Sequence, residues 1–148
     1  MAPVLEMFAA INDAPTDDLD VEDEVFSADR LRAFHAAQEA QRRRVYQLAA
    51  RHRDSGVLVG HTMVAVEGDR PHYGHQLDTS VLAEHRGHRL GMLVEVAALR
   101  ALQAASPSTR LVSTWNADSN RPMIAVNEAL GFGPAGTGSS WTQRLAAP

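Results

Sequence analysis

The sequence predicts one domain of the mixed α/β class. Its first half holds three stretches of alternating apolar and polar residues with turn residues between them, which is typical of antiparallel strands. Its second half holds two stretches with helical apolar spacing on either side of one short apolar run. A chain of 148 residues with 45% hydrophobic residues is long enough to bury a single core. The predicted order is helix, three strands, helix, strand, helix and strand.

The first predicted helix runs from Ser27 to Arg42. Serine is a residue type that caps helices, and Leu31, Phe34 and Ala37 follow at the spacing of one helical face. The acidic stretch before this helix, Asn12 to Phe26, contains a proline, and we predict a loop whose charges face solvent.

Three antiparallel strands are predicted after this helix. The first, RVYQLAARHR at 44–53, alternates so that Tyr46, Leu48 and Ala50 share one face. A turn at 54–56 leads to the second strand at 57–68. A further turn at 67–71 leads to the third strand, from about His72 to Leu82.

The second half is predicted to alternate helices with short strands. A helix begins at about Leu90, and Pro107 ends it. RLVSTWN at 110–116 is predicted to be a short buried strand. The helix in SNRPMIAVNEALGF has Ser119 or Asn120 as its cap and Gly131 as its end. SSWTQRL at 139–145 is predicted to be the last strand.

The composition argues against several kinds of site and partner. The chain has no cysteine, so it forms neither disulfides nor thiolate metal sites. Its net charge of −4 argues against a nucleic-acid-binding module. No apolar run reaches the roughly 20 residues that span a bilayer, and the N-terminus lacks the basic start of a secretory signal. We therefore expect a cytoplasmic protein with no membrane partner.

Arginines and histidines surround two glycines in the segment EHRGHRLG at 84–91, between the third strand and the next helix. The first turn of a helix has unpaired N–H groups and partial positive charge, and glycine lets the backbone approach a ligand. Arg86 and Arg89 add charge that a diphosphate would bind. From this loop alone, a phosphate site and a solvated arginine loop are both open.

Two motifs together resemble the GNAT superfamily of acyl-CoA-dependent N-acyltransferases. In VLAEHRGHRLG, Arg86 and Gly91 match the first and last positions of the family's Arg/Gln-x-x-Gly-x-Gly/Ala signature. In TWNADSNRPMIAVNEALGF, Asn120 begins the helix that is the family's second landmark, and Leu-Gly-Phe at 130–132 ends it. The chain resembles the C-terminal domain of tandem two-domain GNAT proteins, which makes it a half-length relative or a fragment.

The resemblance implies a mixed, mostly antiparallel central sheet with helices on both faces, and an acyl-CoA site where the family's fourth and fifth strands separate. It also implies direct transfer of an acetyl group from acetyl-CoA to an amine of a small molecule or a peptide. The residues that it assigns to coenzyme A are Val81, Leu82, Arg86, Gly87, His88, Arg89, Leu90, Gly91, Met92 and Asn120.

The chain departs from the family in three places. Arg89 stands at the middle glycine of the signature, and Asn127 stands where many members have a tyrosine that protonates the leaving thiolate. The family's first strand is missing, so the strand at 44–53 would have an open edge. We expect a homodimer or a partner domain to cover this edge or the helix beside it. The alternative is a monomer in which residues 3–10 cover it.

A general base is expected on the strand that enters the loop, because an amine must lose a proton before it attacks a thioester. Asp78 and His75 are both candidates, and Asp78 is nearer the expected acyl carbon. The two residues face opposite sides of a regular strand unless a bulge changes their orientation. Histidine pairs at 72/75 and 85/88, without cysteine, are too weak a pattern to predict a metal site.

An N-acetyltransferase is the favoured function. The alternative is a non-catalytic acyl-CoA-binding or regulatory domain, which Asn127 and the missing strand favour. A module that binds RNA or DNA through the arginine loop is a third interpretation, and the net negative charge disfavours it.

Overall fold

The computed structural model describes residues 2–17, 19 and 21–143, which form helices around one sheet. The helices are α1 (Ala2–Ala9), α2 (Ala28–Ala40), α3 (Leu90–Ala105) and α4 (Arg121–Ala129). The strands are β1 (Arg43–Arg51), β2 (Leu58–Glu67), β3 (Tyr73–Val81) and β4 (Leu111–Ser113). Short 3₁₀ turns occupy Ala10–Asp13 and Ala83–His85.

The four strands lie in the order β1-β2-β3-β4. The first three are antiparallel to their neighbours, and β4 runs parallel to β3. β4 pairs with Tyr73, Gly74 and His75, so the remainder of β3, from Gln76 to Val81, has no strand on that side among the described residues. The predicted separation of these two strands is therefore present, and it opens a gap beside the second half of β3.

Helices pack on both faces of the sheet, as predicted. On one face, Met7 and Phe8 of α1 are buried together with Met63 of β2. On the other face, Ala98 of α3 packs against Val64 of β2. α1 contacts β2 and β3, so the N-terminal residues lie on the face of the sheet.

A bulge interrupts the regular alternation of β3. Leu77 and Asp78 together stand opposite one residue of β2. The extra residue reverses the alternation, so Gln76 and Thr79 face the same side of the sheet although they are three positions apart. The bulge that could change the orientation of Asp78 relative to His75 is therefore present.

A histidine in the core has no hydrogen-bond partner among the described residues. His61 of β2 is fully buried, and neither of its ring nitrogens is hydrogen-bonded. Its ring centroid lies 4.5 Å from that of Phe8. Burial lowers the pKa of His61 to about 4, so the ring is neutral in the folded protein at neutral pH.

Most predicted elements occur with shifted ends, and two predictions need correction. α2 lies where a helix was predicted, and the Ser27 hydroxyl caps it by accepting a hydrogen bond from the N–H of Arg30. The strand predicted at 110–116 is only Leu111–Ser113, and it is not buried, since Leu111 is 59% exposed. Residues 139–143 form no strand, since none of the four strands of the described sheet pairs with them. The rest of that prediction, residues 144 and 145, lies outside the described residues.

Both edges of the described sheet are open. No strand precedes Arg43 in this part of the chain, which agrees with the predicted absence of the family's first strand. β4 forms the opposite edge. None of the described helices is both long and apolar enough to cross a bilayer.

Candidate functional site

A cavity of about 620 Å³ lies in the gap beside β3. It is bounded by the end of β3, the loop that follows, the first turn of α3, part of α4 and the segment after α1. The residues predicted to bind coenzyme A that line this cavity are Val81, Arg86, Gly87, Arg89, Leu90, Gly91, Met92 and Asn120.

The first turn of α3 borders this large cavity with unpaired backbone N–H groups. The helix begins at Leu90 without a side-chain cap, so the first N–H groups have no partner within the helix. A side-chain carbon placed on Gly91 would meet no atom within 4 Å, so open space lies in front of this residue. A positively polarised helix end beside open space is suited to a phosphate group.

Arg89 has the left-handed backbone conformation that glycine adopts most easily. Its φ is 57° and its ψ is 25°. This residue stands at the middle glycine of the family signature, so the chain keeps the turn that glycine would allow. The substitution costs backbone strain, and the arginine that causes it lines the large cavity.

Arg86 connects the loop to the N-terminal segment. Its Nη2 lies 2.6 Å from Oδ2 of Asp13, and its Nε donates to the carbonyl oxygen of Val81 at 3.0 Å. Asp13 also lines the large cavity. The charge of Arg86 is therefore already paired with a carboxylate.

Leu82 and His88 are two predicted ligands that the structure does not bring to the cavity wall. Leu82 is buried, its N–H donates to the carbonyl oxygen of Val59, and its own carbonyl accepts from the N–H of His85, each at 2.9 Å. Both backbone groups of Leu82 therefore already have a hydrogen-bond partner. Nδ1 of His88 donates to the carbonyl oxygen of Arg86 at 2.9 Å.

A second cavity, of about 190 Å³, meets the first one. The residues that line both cavities are Ala14, Pro15, Thr79, Asn120 and Met123. We call this shared boundary the junction. Trp115 and Asn116 form part of the outer wall of the small cavity, and Trp115 is 74% exposed, which places it at the rim.

Asp78 lines the small cavity. Burial raises the pKa of this carboxyl, and the negative charge of Glu24 raises it further. A raised pKa makes the carboxylate a better proton acceptor, which is what a general base for an ammonium group needs.

His75, the other predicted base, is held away from both cavities. Its Nε2 lies 2.8 Å from Oε1 of Glu67, and its Nδ1 lies 3.1 Å from the hydroxyl of Ser113. Of the two candidate bases, the structure brings Asp78 alone to the site. Among the described residues, no three His, Asp or Glu side chains come close enough to hold a metal ion.

A buried carboxyl, that of Glu95 in α3, also lines the small cavity. This residue is 1% exposed, and the hydroxyl of Thr79 donates to its Oε1 at 3.0 Å. Oγ1 of Thr79 lies 2.8 Å from Oγ1 of Thr62 and accepts a hydrogen bond from Nε2 of Gln76 at 3.1 Å. Burial raises the pKa of Glu95, although the hydrogen bond from Thr79 lowers it.

Two asparagines of the second landmark helix have different places. Asn120 caps α4, because its side chain accepts from the N–H of Met123, and it lies at the junction. Asn127 is buried and is not part of either cavity wall, and its Oδ1 has no partner among the described residues. At the position of the family's tyrosine, this chain therefore presents no acid to the cavities.

The acidic segment before α2 is not simply the solvated loop that was predicted. Oδ2 of Asp17 accepts from the N–H of Asp118 at 3.1 Å, and Oδ1 accepts from the hydroxyl of Ser119. Together with the pairing of Asp13 and Arg86, these contacts fasten the segment to both sides of the gap.

Sequence reasoning missed Asp13, Asp17, Thr79 and Glu95. The first two were hidden in an acidic stretch that predicted only solvent exposure. The signal for Glu95 was available, since it is the one charged residue in the apolar run LVEVAAL at 93–99. A charge at a core position of a helix indicates a specific partner or a function.

The chain is similar to proteins of one family. The family model described as "Acetyltransferase (GNAT) family" matches residues 7–132. A solved structure of a tandem GNAT protein from the clavulanic acid biosynthesis pathway is 38% identical over 89% of this chain, with a TM-score of 0.65. The chain spans 37% of that protein's length. No curated protein matches it.

More distant structures share the fold. The ribosomal-protein-alanine N-acetyltransferase from Brucella melitensis is 14% identical, with a TM-score of 0.66, over 91% of this chain and 78% of that one. AAC(6')-Iy in complex with the bisubstrate analog CoA-S-monomethyl-acetylneamine is 16% identical, with a TM-score of 0.59, over 80% and 82%. The match over residues 7–132 and the 38% identity go beyond shared fold, and on them the chain belongs to the acetyltransferase (GNAT) family.

Proposed function

We propose that the chain is an N-acetyltransferase that moves the acetyl group of acetyl-CoA to a primary amine of a small molecule or a peptide. The observation that carries this proposal is that the two cavities meet, at Thr79 and Asn120 among other residues. A donor in the large cavity and an acceptor in the small one exchange an acyl group where the cavities meet. Direct transfer needs this arrangement and no covalent enzyme intermediate.

The large cavity suits coenzyme A in its charge and in its shape. The N–H groups of the first turn of α3 and the guanidinium of Arg89 would bind the diphosphate. Apolar side chains, including those of Leu90 and Val126, line the same cavity and would contact the pantetheine arm. Acetyl-CoA is then the donor substrate, and it supplies an acetyl group activated as a thioester.

The small cavity suits an amine. The carboxylate of Asp78 attracts an ammonium group and accepts its proton, which leaves a neutral nitrogen that can attack the thioester. A volume of about 190 Å³ is small, so a large acceptor would insert only its amine end. The exposed rim at Trp115 would contact the rest of such an acceptor.

The non-catalytic alternative is favoured by one observation. Asn127 stands where many relatives of the family have an acid, and its side chain is buried away from both cavities. A domain of this kind would bind acetyl-CoA but would not transfer its acetyl group.

Calorimetry and a thiol-release assay separate these functions. Acetyl-CoA is titrated into the chain first, and free thiol is then measured with acetyl-CoA and each of a set of amines: spermidine, an aminoglycoside, an arylalkylamine and a peptide with a free N-terminus. Binding followed by amine-dependent thiol release supports the transferase. Binding without release for every amine supports the non-catalytic domain, and the absence of binding overturns both.

A further inference from the structure

We propose that Thr79 and Glu95 form a proton relay that protonates the sulfur of the leaving group during acetyl transfer. The inference rests on the proposed function, because it assigns a source to a proton that this reaction consumes. Attack of an amine on a thioester expels a thiolate, and this thiolate forms where the donor and the acceptor meet. An acid is therefore needed at the junction.

Thr79 places a hydroxyl group at the junction. It lines both the large and the small cavity. Its Oγ1 lies 3.0 Å from Oε1 of Glu95, which is hydrogen-bonding distance. A hydroxyl group at the reaction point is thus connected directly to a buried carboxyl.

Glu95 has the surroundings of a carboxyl that keeps its proton. It is 1% exposed, and Thr79 is its hydrogen-bond partner within the described part of the chain. No arginine or histidine of the described residues forms an ion pair with it. A buried carboxylate without a cation is costly, so these surroundings favour the protonated form.

The hydrogen bonds around Thr79 allow it to pass a proton. Its Oγ1 accepts from Nε2 of Gln76 and lies 2.8 Å from Oγ1 of Thr62. When Glu95 is protonated, its O–H donates to Oγ1 of Thr79, which also accepts from Gln76. The hydroxyl hydrogen of Thr79 then points to Oγ1 of Thr62, and it can turn from there to a stronger acceptor. A thiolate at the junction would be that acceptor.

Other groups near the junction do not supply this proton. An amide such as that of Asn127 donates a hydrogen bond but not a proton, and this side chain faces neither cavity. His75 is bound to Glu67 and Ser113. Asp78 begins the reaction by accepting a proton from the amine, so Glu95 is left as the acid.

The step balances as follows. Asp78 takes a proton from the ammonium group, the nitrogen–carbon bond forms, and the carbon–sulfur bond breaks with its electron pair on sulfur. The sulfur takes the hydroxyl proton of Thr79, and Thr79 takes the proton of Glu95. The acetylated nitrogen sheds its extra proton, which restores Glu95 through water, and Asp78 releases its proton to solvent. The products are the amide, coenzyme A and one proton.

Three variants test the relay by kinetics. Glu95→Gln keeps the shape of the side chain and a hydrogen bond to Thr79, but its amide cannot release a proton. We expect kcat to fall about 100-fold, which is the low end of the range for acid catalysis, with little change in the KM for acetyl-CoA. The kcat of Thr79→Val should fall by the same factor. Thr79→Ser should retain most of the activity because it keeps the hydroxyl group. Glu39→Gln on the exposed side of α2 is the matched control, and it should leave kcat unchanged.

A measurement other than activity tests the same link. In protein labelled with carboxyl-¹³C glutamate, the resonance absent from Glu95→Gln identifies Glu95, and its titration gives the protonation state. We expect the Glu95 carboxyl to keep its proton to a higher pH than an ordinary glutamate does. We also expect its titration to change when coenzyme A is added. Thr79→Val should abolish the response to coenzyme A, because the hydroxyl that connects the two groups is gone.

The outcomes distinguish this inference from the proposed function. A wild-type chain that releases no thiol with any amine of the set overturns the transferase and the relay together. A wild-type chain that turns over while folded Glu95→Gln keeps its kcat overturns the relay alone. If Glu95→Gln does not fold, full activity in folded Thr79→Val overturns it instead. If Glu95→Gln does fold, an ordinary Glu95 titration that does not respond to coenzyme A also overturns it.

Discussion

Replacing Arg89 by glycine should make the fold more stable and the binding of acetyl-CoA weaker. Both effects have their origin in one feature, a non-glycine residue at φ 57° on the wall of the large cavity. The left-handed conformation costs a residue with a side chain about 1–2 kcal/mol. The variant therefore tests whether this arginine is retained for its charge in spite of its backbone.

The gain in folding stability in Arg89→Gly is smaller than the backbone strain that the substitution removes. Glycine relieves the left-handed strain, but it also has about 0.5–1 kcal/mol more conformational entropy to lose on folding. The net gain should be about 0.5–1 kcal/mol, which raises the Tm of a domain of this size by about 2 °C. The loss in binding comes from one exposed guanidinium near a diphosphate, and at about 1 kcal/mol it weakens the Kd about fivefold.

Differential scanning calorimetry and titration with acetyl-CoA measure the two effects on the same samples. Arg42→Gly is the matched control, since Arg42 also has φ 57° but does not line either cavity. It should gain stability without a change in affinity. Arg89→Gln should lose affinity without the gain in stability. A lower Tm in Arg89→Gly, or an unchanged Kd, would refute the reasoning.

Four further predictions concern the site, the core and the sheet edge. Gly91→Glu should abolish acetyl-CoA binding in titration calorimetry, because it places a carboxylate in the open space at the first turn of α3, while Gly133→Glu, which also points into open space, should bind normally. Asp78→Asn should lower kcat more than it raises the KM for acetyl-CoA. The rise of kcat/KM with pH that follows from the raised pKa of Asp78 should also disappear. If His75→Ala gives this result and Asp78→Asn does not, His75 is the general base. His61→Leu should flatten the pH dependence of the free energy of unfolding measured in urea. In the wild type this free energy should fall by about 3 kcal/mol as the pH falls from 6.5 toward 4, because the imidazole is protonated in the unfolded chain but stays neutral in the folded one. Light scattering at micromolar concentration should show about twice the monomer mass of 16.1 kDa, because the outer edge of β1 has no partner strand in the described sheet; the monomer mass would contradict this.

Much of the fold could be predicted because local patterns agree with long-range packing. Tyr46 and Leu48 alternate in the sequence and pack together against the core beneath α3. Ser27 was predicted to cap α2, and Ser119 or Asn120 to cap α4, because each has a hydroxyl or amide oxygen at a helix start. In the structure Ser27 and Asn120 accept the expected N–H groups. The strand predicted at 139–145 was wrong for its described part, 139–143, because these residues have strand propensity but no strand of the described sheet pairs with them.

The position of the turn before α3 was predictable, although the conformation of Arg89 in that turn was not. Arg86 and Gly91, at the first and last positions of the signature, predicted where the turn lies. A sequence does not give φ, so the arginine at the middle position was interpreted as a departure. In the structure it is the same turn built from a less suitable residue. The charge pairing of Arg86 with Asp13 could not be predicted, because the two residues are 73 positions apart and meet only in the folded chain.

The arrangement of the catalytic candidates could not be read from alternation, because the bulge in β3 changes it. In an unbroken strand, Thr79 would face the side of the sheet opposite Gln76, toward α1 and α2, and it could not contact a residue of α3. One inserted residue turns Thr79 back to the side of Gln76, where its hydroxyl meets Glu95. Asp78 lies within the bulge and lines the small cavity. The residue proposed to take the first proton and the residue proposed to deliver the last one are therefore adjacent in the sequence, and the bulge between regular segments gives them different surroundings.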